Sequence, residues 1–69
     1  MHFTIDCERE VDGRWIAEVL ELPGVMAYGT SRDEAILGAE ALALRVIAER
    51  LEQREIAPDT IHISLPDAA

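Results

Sequence analysis

The chain has 69 residues, 49% hydrophobic and 29% charged, a composition that excludes a disordered segment and leaves room for one small domain. Fourteen acidic residues against six basic ones give a formal net charge of −8. All six bases are Arg and none of them cluster, so the chain is expected to repel nucleic acid and to favour a basic protein partner. A lone Cys7 excludes an internal disulfide and a cysteine-ligated metal site. His2 and His62 lie far apart in sequence with no ligand spacing, which leaves self-association as the way for so small a core to gain stability.

Residues 2–8 alternate, with Phe3, Ile5 and Cys7 on one face and His2, Thr4, Asp6 and Glu8 on the other, as in a half-buried strand. Val11-Asp12-Gly13-Arg14 supplies a hairpin turn. A second strand is expected from Arg14 to Leu20, with Trp15, Ala17 and Val19 inward. An odd-length loop would set Cys7 against Val19. Leu22-Pro23-Gly24 breaks that strand, and a short third strand runs from Val25 to Tyr28 before Gly29. Ser31 with Glu34 three residues later forms a capping box, and a helix is expected from there to about Arg54. Pro58-Asp59 turns the chain, Thr60 to Leu65 alternates again as a last strand, and 67–69 reads as a frayed tail. The order β-β-β-α-β implies an α+β fold. It would be a mostly antiparallel sheet with one long helix across one face, and the first and last strands adjacent. One domain, 1–69, is expected, with no separate DNA-binding domain.

The helix carries the strongest pattern. With Ala39 as reference, Ala35, Ile36, Leu42, Ala43, Val46 and Ile47 fall within about 80° of it and suffice to cover a sheet. A second stripe, Leu37, Ala41, Leu44, Ala48 and Leu51, lies beyond, leaving a polar sector around Glu34, Gly38, Arg45, Glu49 and Glu52. A helix apolar over so much of its girth is buried on more than one side. At about 1.5 Å per residue it would also run to roughly 35 Å, past strands of about 20 to 23 Å. The second stripe is therefore expected to be an oligomer interface, as a dimer or tetramer. The alternative is that the last strand and its connection fold back over it.

Catalytic chemistry is sparse. Cys7 sits on an inward face, Ser31 is a cap, and no nucleophile elbow, phosphate loop or paired-His motif occurs. Asp6 with Glu34 or Glu40 is the one carboxylate set worth weighing for a metal-dependent nuclease, but the last strand adds no acid to it. Solvated charge is the preferred reading, so no catalytic, cofactor or metal residue is assigned. The N-terminus lacks a signal-peptide pattern. The longest apolar run, Ala35 to Ala48, holds Glu40 and Arg45 and is too short for a bilayer, which takes about 20 residues; a cytoplasmic protein is expected.

Three runs in order carry a family likeness: Asp12-Gly13-Arg14-Trp15-Ile16-Ala17-Glu18-Val19, then Glu21-Leu22-Pro23-Gly24, then Tyr28-Gly29-Thr30-Ser31-Arg32-Asp33-Glu34-Ala35. Over about three-fifths of the chain it resembles the HicB family of antitoxins. The pattern is an aromatic strand, a Glu-Leu-Pro-Gly turn, a short strand and a Glu-Ala helix start. The resemblance implies a truncated ribonuclease H-like fold without the nuclease carboxylates. It also implies a non-enzymatic antitoxin that self-associates and covers a HicA-like toxin, a small basic ribonuclease. Leu20 departs from the family's frequent proline. The DNA-binding module of many members is not expected here, so promoter binding by this chain alone is not expected either. Glu18, Glu21, Leu22 and Tyr28 are the residues expected to meet the partner. The competing readings are an oligomeric interaction module without a toxin and, last, the nuclease.

Overall fold

The computed structural model describes residues 1–66. Its elements are β1 (His2–Arg9), β2 (Trp15–Val19), β3 (Met26–Gly29), α1 (Arg32–Glu52) and β4 (His62–Ser64). They form one four-stranded sheet in the order β3-β2-β1-β4, antiparallel except for the parallel β1–β4 pair. The expected α+β order and the adjacency of first and last strands are what the chain adopts. The expected tail at 67–69 lies outside the described residues.

The hairpin closes through the Glu10 N–H donating to the Arg14 carbonyl at 2.7 Å and the Gly13 N–H to the Glu10 carbonyl at 3.0 Å, with Gly13 at φ 91°. Loop 10–14 is odd, but its centre lies one residue earlier than expected. Ile5 therefore faces Val19, and Cys7 faces Ala17. The faces are unaffected, because side chains two apart point the same way. Phe3, Ile5, Ala17 and Val19 are buried, and Cys7 and Trp15 are half-buried at the margin of the core.

After β2 the chain bends inward rather than outward. The Leu22 N–H donates to the Val19 carbonyl, the Val25 N–H to the Leu22 carbonyl, and Gly24 takes φ 88°. That turn drives Leu22 and Val25 into the core, so β3 starts at Met26 instead of Val25.

Ser31 caps α1 by accepting from the Glu34 N–H at 3.1 Å, and Asp33 and Glu34 stand in the positive first turn. The Glu34 carboxylate reaches back to Thr30, to its N–H and its hydroxyl, one residue before the partner a capping box uses. Ala35, Ile36, Ala39, Ala43 and Ile47 are buried against the sheet, with Leu42 and Val46 packed at their side. Gly38, expected in the polar sector, faces β3 instead. A Cβ there would lie 2.9 Å from the Ala27 Cβ, and one at Gly29 would lie 2.6 Å from the Ala35 backbone N. Two glycines thus bring α1 close over β3. The helix stops at Glu52, short of Arg54, because Arg54 turns left-handed at φ 58°. The Arg54 N–H then donates to the Leu51 carbonyl and the Glu55 N–H to the Arg50 carbonyl.

Candidate functional site

Two surfaces remain uncovered once the core is built. The first is the sheet face opposite α1. Along β2 and β3 it displays Ile16, Glu18, Met26 and Tyr28, with Ile16 directly beside Tyr28 and Glu18 beside Met26. The β1 neighbours complete each row: Glu8 beside Ile16 and Asp6 beside Glu18. Leu20 extends the apolar part. Met26, Tyr28 and Leu20 are exposed at 41%, 49% and 54%, so large apolar groups lie in the open among three carboxylates. The Arg14 guanidinium lies 4.6 Å from the centre of the Tyr28 ring and also binds Asp12 at 2.7 Å, which fixes one border of the patch. That double contact from the Arg14 backbone and side chain also holds the Asp12 carboxyl below the usual range.

Of the four residues expected to meet a partner, Glu18 and Tyr28 lie on this face together. Leu22 does not: at 3% exposure it is a core residue, turned in by the 19–25 turn described above, so that expectation is corrected. Glu21 is exposed, but its carboxylate is engaged. β2 ends at Val19, which would leave the Thr4 N–H unpaired, and Glu21 accepts it at 2.6 Å. That bond is the main reason its pKa falls below the ordinary value.

The carboxylates weighed for a nuclease do not meet. Asp6 is on the open sheet face beside Glu18, whereas Glu34 and Glu40 are on α1 across the sheet. Among the described residues no group of three or more His, Cys, Asp or Glu side chains is assembled for a metal ion. Cys7 is half-buried, and burial pushes its thiol above the ordinary value, away from a reactive thiolate.

The two histidines correct another expectation. His2 and His62 are paired across the parallel β1–β4 ladder, their rings stack with centres 4.7 Å apart, and Ser64 lies 2.9 Å from the His2 ring. Sequence spacing could not reveal this. The available signal was that each opens a strand, and the two strands run side by side.

The second surface is the far side of α1. Leu37, Leu44 and Leu51 are exposed at 65%, 48% and 38%, with Ala41 and Ala48 exposed between them. No described part of the chain folds over this stripe. At its two ends lie shallow clefts. Leu37 and Ile36 meet Leu65 and Pro66 in one, and Leu51 meets Ile56, Ala57 and Pro58 in the other. No helix of the described residues is long and apolar enough to cross a membrane. Compared with protein-family models, curated proteins and solved structures, the chain matches none.

Proposed function

We propose that the chain is a HicB-like antitoxin domain that self-associates and neutralises a basic, HicA-like ribonuclease toxin by covering it. The observation that supports the partner reading is the open sheet face, where Tyr28, Met26, Leu20 and Ile16 stand among Asp6, Glu8 and Glu18. Exposed apolar groups of this size mark contact surfaces. A carboxylate rim steers a cationic partner and sets its orientation, while the apolar centre supplies the affinity. The run from Asp12 to Ala35 quoted above adds the family likeness. No step of chemistry is asked of this chain; inhibition is by occlusion.

Co-expression of the chain with the basic product of the neighbouring gene, followed by affinity capture, tests this. Capture and relief of growth arrest are expected. Glu18→Lys with Tyr28→Ala should lower capture at least tenfold, because the variant reverses one rim charge and removes the aromatic anchor. Growth arrest unrelieved by the wild-type chain, with no capture, would overturn the reading.

The stripe Leu37, Ala41, Leu44, Ala48 and Leu51 also supports a second reading, an oligomeric interaction module without a toxin. A self-associating chain that captures no basic partner would favour it.

A further inference from the structure

α1 lies over β2 and β3, less over β1, and not over β4. The helix side of the sheet is therefore only partly covered. On β4, Ile63 packs against the core, but its flanking neighbours on the same face, Ile61 and Leu65, are exposed at 39% and 53%. Leu37 and Leu65 share a cleft, so the leucine stripe borders this uncovered strip rather than facing an unrelated direction. The β4 backbone is open as well. β4 ends the sheet, and the His62 N–H donates to the Met1 carbonyl on the β1 side. Backbone polar groups alternate sides along a strand, so Ile63 turns its N–H and C=O to the vacant side.

We propose that two copies of this chain meet here about a two-fold axis. β4 lies antiparallel beside β4 of the second copy, and the two α1 helices lie antiparallel along their leucine stripes. This deepens, and rests on, the self-association proposed above. A second copy is the occupant that answers both needs at once, a strand for the open edge and an apolar helix of the same seven-residue spacing for Leu37, Leu44 and Leu51. Charge also permits it at this edge. In a chain with 14 acidic residues, 60–66 contains none, so β4 meets its copy without like charges opposed. The antiparallel sense follows from α1 itself. Asp33, Glu34 and Glu40 are in its first half, and Arg45, Arg50 and the following Arg54 are toward its end. Antiparallel helices set these acids toward the partner's arginines, whereas parallel ones would set acid against acid.

Cysteine cross-linking reads this geometry directly. In a Cys7→Ala chain, Ile61→Cys and Ile63→Cys probe the β4 edge, and Tyr28→Cys probes the β3 edge as control. Residues paired across antiparallel strands have Cα atoms about 4.5 to 5.5 Å apart, within disulfide range. Under mild oxidation at micromolar concentration, at least one β4 variant should form the covalent dimer ten times faster than Tyr28→Cys. Leu44→Glu in the same chain should abolish that excess, because the stripe and the edge belong to one contact. Leu44 is exposed, and a circular-dichroism spectrum of this variant is expected to match the parent. Equal rates at both edges, or cross-linking unmoved by Leu44→Glu, would overturn the proposal. Sedimentation of the unaltered chain separates the two levels. A double-mass species without β4 cross-linking overturns this geometry alone, and a single-mass species overturns self-association with it.

Discussion

Gly38 is the residue on which the approach of α1 to the sheet turns. A Cβ there would lie 2.9 Å from the Ala27 Cβ, and Gly29 meets the Ala35 backbone at closer range still. Gly38→Val should therefore destabilise the fold by about 1 to 3 kcal/mol, the range for overpacking, despite the better helix propensity of any residue over Gly. Urea denaturation measures it, and an unchanged midpoint would show that helix and sheet separate freely. Arg54 works the other way. It holds φ 58°, a left-handed conformation that costs a residue with a Cβ about 1 to 2 kcal/mol. Arg54→Gly should stabilise the chain by about 0.5 to 1 kcal/mol in the same assay.

The exposed carboxylates also act residue by residue. Glu21 on the Thr4 N–H, Asp12 on Arg14, and Asp59 on the N-terminal ammonium and the Thr60 N–H all titrate below their ordinary values. A depressed folded-state pKa contributes stability that is complete above the unfolded value and lost as pH falls through the folded one. Stability should be level from neutral down to about pH 5 and then decline below the ordinary carboxylate values near 4. The decline should be partly removed in Glu21→Gln, which keeps an acceptor for Thr4 that does not titrate. A denaturation midpoint independent of pH between 5 and 2.5 would contradict this.

At the scale of elements, α1 was the most legible part of the sequence and β4 the least. The Ser31–Glu34 cap and the Ala35, Ile36, Ala39, Ala43, Ile47 periodicity are local signals, and the helix and its buried face follow them closely. Its end was read two residues late because Arg54 is not a residue that usually turns left-handed. Leu22 was misread for a different reason. Proline and glycine announce a turn but not its direction, and the Val19 and Leu22 carbonyl bonds that fold it inward are tertiary in origin. The His2–His62 stack and the Glu21–Thr4 bond were out of reach, since each joins distant segments through a register no local pattern encodes. On the partner face, Glu18 and Tyr28 were legible from strand alternation alone.

The two stripes of α1 make opposite demands, and alanine substitution separates them. Ile47 is 2% exposed beneath the helix, and Ile47→Ala should cost about 2 to 4 kcal/mol of stability at any protein concentration. Leu44 is 48% exposed, and Leu44→Ala should leave a dilute sample nearly unchanged while lowering the melting temperature of a concentrated one. A similar loss for Leu44→Ala at low and high concentration would mean that the chain itself buries this stripe.

Taken whole, the molecule is a thin wedge of 40 × 20 × 16 Å with apolar groups open on two opposite sides. One is the sheet face that displays Tyr28, Met26 and Leu20 among acids; the other is the leucine stripe beside an open strand edge. A core built from so few buried side chains gains little by itself, and a second copy on the stripe adds apolar burial where the chain lacks it. The arrangement leaves the acidic sheet face clear, so assembly and capture of a basic partner do not compete for one surface. Capture should weaken steeply as salt rises, because the rim charges that guide the partner are exposed, whereas assembly through the apolar stripe should not.

Sedimentation equilibrium of the unaltered chain from 1 to 200 micromolar is the measurement on which this account stands. One chain weighs 7.6 kDa, and a species of twice that mass should dominate at the upper end of the range and dissociate in Leu44→Glu. A single 7.6 kDa species at every concentration would contradict it.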